Sequence, residues 1–144
     1  MLNLDIQLIL PLRMSQKLIF ESSRLFSLYG YAMSHGLLLL RSGKSNENPT
    51  TRIDILFQDV RALEIRVWFE GIKIEEVDDP KFLENRDSNP VDMVEYGNKI
   101  YALSGSGWNG FIVGGIVQIK EDDGELFGPS ALVDGPTVKR WTVG

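Results

Sequence analysis

The sequence predicts a mainly β fold, an antiparallel meander forming a sandwich or a partly closed barrel, with at most one or two short helices. An α+β arrangement is the alternative. Three observations predict it. Apolar residues recur at every second position in several segments, the period of a half-buried strand. Glycine, proline and Asn/Asp-Gly signals cut the chain into runs of strand length. The credible helical turn is short and lies around residues 80–85, where Pro80 suits a first helical position.

Taken in order, Leu2, Leu4, Ile6, Leu8 and Leu10 share one face opposite Asn3, Asp5 and Gln7, which reads as a strand until Pro11 ends it. Residues 14–23 fit either a short helix beginning after Ser15 or another strand. Met14 can also serve as a start, which would make residues 1–13 an N-terminal extension of one domain spanning 1–144. Residues 25–33 and 37–41 read as a hairpin across Ser34, His35 and Gly36, because Gly36 can take the positive φ of a tight reversal. Residues 42–50 form a polar loop held extended by Pro49.

The middle of the chain carries the clearest alternation. Ile53, Ile55 and Phe57 alternate with Arg52, Asp54, Leu56 and Gln58, and Leu63, Ile65, Val67 and Phe69 alternate with Glu64, Arg66 and Trp68. After a bend at Gly71, Ile72 and Ile74 alternate with Lys73 and Glu75. Connections of a few residues favour an antiparallel meander of these three segments, its outward charges forming a solvated face. Residues 91–96 and 99–103 then read as a hairpin across Gly97-Asn98, and residues 111–120 as one strand bulged at Gly114-Gly115. Asp123-Gly124 offers a further reversal, and residues 137–143 a last strand beyond Pro129 and Pro136.

Composition bounds the function. A chain of 144 residues with 43% hydrophobic and 24% charged residues lies far from the compositions that stay disordered. Without cysteine there is no disulfide, thiolate metal site or cysteine nucleophile, and cytoplasm is the expected compartment. The apolar N-terminus lacks the basic start of an export signal, and no run approaches the roughly 18 apolar residues of a membrane span. Net charge is −5, with eight Lys/Arg against seven Asp/Glu in residues 1–72 and seven against thirteen in residues 73–144. Neither half offers the clustered positive charge that nucleic acid or an anionic membrane requires.

The chemical motifs fail on context. Residues 105–110, Gly-Ser-Gly-Trp-Asn-Gly, match the dinucleotide fingerprint literally, but the β-branched residues 111–117 cannot supply the helix whose N-terminus would face a pyrophosphate. Gly43-Lys44-Ser45 has the ending of a phosphate loop, yet Leu38 stands where its first glycine belongs. His35 is the single histidine, and Ser34 beside it points away on an extended chain. Glu121, Asp122, Asp123, Glu125 and Asp134 do not follow the calcium-loop spacing and read as a solvated acidic turn. No catalytic, metal or cofactor site is therefore assigned.

The aromatic residues carry the remaining signal. Trp68 falls on the polar side of its strand beside Arg66, and Trp108 falls in a glycine-rich turn. Tryptophan and arginine dominate interface energetics. The expectation is a non-catalytic interaction domain with a protein partner or self-association, using the face around Arg52, Arg66 and Trp68, with Trp108 as a further candidate. In style it resembles the small acidic β-rich proteins that bacteria use as adaptors or toxin-neutralising partners, although no motif carries that resemblance. A small-molecule carrier lined by Phe26, Tyr29, Tyr31, Leu38 and Leu40 is the alternative, and a carboxylate-based hydrolase comes third.

Overall fold

The computed structural model describes residues 16–45, 50–86, 89–95 and 97–133. The strands expected at 2–10 and 137–143 lie outside these residues. The fold is mainly β, as the alternation predicts. It comprises β1 (Gln16–Ala32), β2 (Leu37–Ser42), β3 (Arg52–Phe57), β4 (Ala62–Glu64), β5 (Trp68–Val77), β6 (Lys99–Gly105), β7 (Trp108–Gly114) and β8 (Val117–Asp122). All eight belong to one antiparallel sheet in the order β4-β7-β6-β5-β1-β2-β3-β8. Helix among the described residues is confined to 3-10 turns at Ser34–Gly36, Pro80–Leu83 and Pro90–Met93.

Residues 16–23, open between helix and strand in the sequence, are strand. β1 runs for 17 residues, pairing with β5 from Gln16 to Ser27 and with β2 from Ser27 to Ala32. Its register slips against β5 between Leu18 and Phe20 and between Ser22 and Leu25, and against β2 between Leu28 and Gly30. Such bulges bend a strand and steepen its twist, which lets one long strand follow a curled sheet. The β1–β2 hairpin forms where expected. Gly36 sits at φ +54, and a Cβ there would stand 2.7 Å from the Val60 nitrogen, so the turn requires glycine on two grounds.

Curling closes the inner face on itself. Phe57 on β3 lies edge-on to Tyr101 on β6 at 5.5 Å between ring centres. Four strand steps separate them in the sheet order, about 19 Å in a flat sheet at the usual strand spacing. Between them the core is filled by Phe26, Leu40, Ile55, Phe69, Ile74 and Ile112, each 2% exposed or less. The Tyr101 hydroxyl donates to the Gly115 carbonyl at 2.8 Å. Burial, then the nearby Glu76 carboxylate, pushes its pKa up to about 12.

Several expectations are corrected. Segments 51–58, 62–69 and 72–75 are not a meander: β3 pairs with β2 and β8, β4 with β7, and β5 with β1 and β6. Residues 62–69 break at 65–67, where the chain crosses from the sheet edge beside β7 to the place beside β1. Leu63 and Val67 are consequently exposed rather than inward. Residues 111–120 are two strands, because the chain leaves β7 at Gly114, and β8 continues beside β3 at the opposite edge. Residues 91–95, the described part of the segment expected at 91–96, do not pair with 99–103. Pro90, with fixed φ and no N–H, begins a 3-10 turn instead, and both sides of β6 are taken by β5 and β7.

Candidate functional site

The outer face of the sheet is where charge and aromatic residues meet. Alternation places Leu39, Arg41, Arg52, Asp54 and Leu56 on that face of β2 and β3. All are buried, contrary to the solvated face expected for Arg52 and Asp54. The cover is residues 123–133, which follow β8 and fold back as a strap. Val133 of the strap packs with Ala32, Leu39 and Leu56.

Two arginines hold the strap. Arg41 is bidentate to Asp54, with Nε donating to Oδ1 at 2.6 Å and Nη2 to Oδ2 at 3.0 Å. Its Nη1 donates to the Leu126 and Gly128 carbonyls, both at 2.8 Å, and its guanidinium lies 3.9 Å from the centre of the Tyr29 ring. Arg52 reaches Asp122 through Nε at 3.1 Å and Nη2 at 3.3 Å, and donates to the carbonyls of Glu125, Gly128 and Pro129 at 2.8, 3.3 and 3.0 Å. Register explains the arrangement: Arg41 lies opposite Asp54, and Arg52 opposite Asp122, on neighbouring strands. Burial pushes the Asp122 carboxyl up. The Gly124 N–H, the Arg52 guanidinium and the charge of Arg41 pull it down further, so it ends below its ordinary value.

The strap covers only part of the face. Towards β1 and β5 the outer face is bare, and there a cleft of about 500 Å³ opens between Trp68 and Leu126, with Leu25, Ser27, Arg41 and Lys44 among its lining. Trp68 stands opposite Ser27, and Leu25 opposite Glu70, in the β1–β5 register. Trp68 is 63% exposed, Val67 66% and Leu25 46%. Lys44 crosses the mouth to Glu125 at 3.6 Å.

Of the four candidate residues, two share the surface. Trp68 is exposed, and Arg66 is exposed with Nη2 donating to the Gly107 carbonyl at 3.3 Å. Arg52 is interior, clamped under the strap. Trp108 is interior too, on β7 rather than in a turn, its ring 4.6 Å from that of Phe69 and its Nε1 without a partner among the described residues. The clamp escaped the sequence reading, which set Asp54 on a solvated face and Asp122 in a solvated acidic turn and gave Arg41 no role. The one signal was their opposite charges at alternating positions of apolar strands.

The remaining motifs are structural. Residues 105–110 form the two-residue hairpin between β6 and β7, with Gly107 at φ +76. His35 lies in its turn at φ 67, its carbonyl accepting from the Asp59 N–H at 3.1 Å. Glu121 pairs with Arg24 at 3.2 Å, Asp122 is held by Arg52, and Asp134 lies outside the described residues. Among the described residues no group of three or more His, Cys, Asp or Glu is placed to hold a metal, and no helix is long and apolar enough to cross a membrane. Phe26, Leu38 and Leu40, expected to line a carrier pocket, are packed in the filled core, and Phe26 alone of them also borders the cleft. Comparison with protein-family models, with curated proteins and with solved structures found no match to the chain.

Proposed function

We propose that the protein is a non-catalytic interaction domain whose contact surface is the Trp68 cleft. The observation that carries this reading is the exposure of Trp68 and Leu25 together on the lining of one cleft, in a fold that buries Phe26, Phe57, Phe69 and Phe111. Contiguous exposed apolar surface bounded by charge is the mark of a contact site, and tryptophan is the residue most enriched among energetic anchors. The clamp beneath the strap supports the same reading. It fixes Leu126, one wall of the cleft, by a hydrogen bond from the Arg41 guanidinium to its carbonyl, so the site is built before anything binds.

Site-specific photo-cross-linking tests it. Benzoylphenylalanine in place of Trp68 is expected to give protein adducts in cells expressing the chain. The same group in place of Glu84, an exposed residue after the Pro80–Leu83 turn, is expected to give few. Equal yields at the two positions would dismiss the cleft as a contact surface.

A small-molecule carrier is the second reading, favoured by the cleft volume, which lies within the roughly 300–1,000 Å³ of ligand pockets. It requires a mass excess in native mass spectra of the purified protein that Trp68→Ala abolishes.

A further inference from the structure

The rim of the cleft suggests what covers it. The chain as a whole is acidic, at −5, so two copies repel over most of their surface. Around the cleft the signs balance. Lys44 and Glu125 stand at the mouth, and Arg66 and Glu70 flank Trp68 two positions to either side, all four at least partly exposed. Next to the recess the strap also exposes an aromatic ring. Phe127 follows the wall residue Leu126 directly and is 77% exposed, among the most exposed large apolar residues described.

Resting on the reading of the cleft as a contact surface, we propose that its occupant is a second copy of this chain. In this two-fold arrangement, Phe127 of each copy enters the Trp68 cleft of the other, and Lys44 of each faces Glu125 of the other. A two-fold interface uses one patch twice, so that patch must hold both halves of every complementary pair. Here it holds knob and cleft, cation and anion. A neutral patch on an acidic chain is also where like copies approach at least electrostatic cost. The contact adds no catalytic step. It buries an aromatic pair, Phe127 against Trp68, at the centre, and leaves the charged pairs at the rim to fix register.

Sedimentation equilibrium of the purified chain, with native mass spectrometry of mixtures, tests this. The wild type is expected to form a concentration-dependent dimer, and Phe127→Ala and Trp68→Ala are each expected to weaken it by about tenfold or more. Lys44→Glu and Glu125→Lys place like charges across both halves of the interface, so each alone should self-associate less than the wild type. Mixed in equal amounts, they should form a heterodimer tighter than either homodimer, because each rim pair is then Glu against Lys in one direction and Lys against Glu in the other. The internal Lys44–Glu125 pair alone predicts no such rescue. A wild type that stays monomeric to millimolar concentration overturns the proposal, as does a mixture that associates no better than its components. A monomer whose residue-68 cross-linker captures a different protein also overturns it while sparing the interaction-domain reading, whereas a monomer without adducts removes both.

Discussion

The outer face of the sheet has two halves that differ in what shields them. Over β2, β3 and β8 the strap shields charged residues, and every one of them is paired: Arg41 with Asp54, Arg52 with Asp122, and the leftover N–H groups with strap carbonyls. Over β1 and β5 the face carries Trp68 and Leu25, and they are open to solvent. On this face the charged Arg41, Arg52 and Asp54 are thus inside and the apolar Trp68 and Leu25 outside, the reverse of the usual order. Buried charge is tolerable when geometry satisfies it, and exposed tryptophan is informative because burial is its ordinary state. The first half is architecture, and the second is where binding is expected.

The sharpest way to break this contrast is to strip the covered half of one charge. Arg41→Met takes from buried Asp54 its bidentate partner, leaving only Arg52 at 3.9 Å, and takes from the Leu126 carbonyl its donor. It is expected to cost about 3–5 kcal/mol in urea unfolding at neutral pH. Leu56→Ala, under the strap but apolar, is expected to cost about 2–5 kcal/mol by the same measurement, through the cavity it leaves against Leu39 and Val133.

Titration sharpens the comparison further. The Asp122 carboxyl lies below its ordinary value in the fold. Its contribution is therefore present above the ordinary carboxylate range, near pH 4, and is lost as pH falls through the lowered value. Asp122→Asn should flatten that acid limb of the stability profile. Tyr101 behaves in the opposite sense. With its folded pKa raised to about 12, its contribution is complete below about pH 10 and disappears as pH rises towards 12. Tyr101→Phe should remove that alkaline limb and cost about 1 kcal/mol at neutral pH, through the lost hydrogen bond to Gly115. The smallest effect belongs to the bare half: Trp68→Ala is expected to change unfolding stability by no more than about 0.5 kcal/mol, which separates any loss of binding from loss of fold.

Local periodicity was enough to read the β character, the hairpin at Ser34–Gly36 and the outward position of Trp68. It failed where long-range topology decides. The alternation through Glu64, Ile65, Arg66 and Val67 is real, yet the chain must cross there between strands on either side of β6 and β7, so no ladder is available to it. Arg52 and Asp54 have the spacing of a wet face, and they are dry because a segment some 70 residues later folds over them. Trp108 sits among glycines whose purpose is the β6–β7 hairpin, and the ring turns inward onto Phe69. In each case the local pattern was sound, and a remote partner changed its meaning.

β1 has a kinetic consequence. The pairings β1–β2–β3 and β5–β6–β7 each join strands consecutive in the chain, whereas β1–β5, β3–β8 and β4–β7 skip over intervening strands. Sequence-distant pairing must overcome loop closure before contacts reward it. Each three-stranded group can therefore assemble early and on its own. The slow event is the zipping of the long bent strand onto its second neighbour, and only after β8 has found β3 can the strap settle over its arginines.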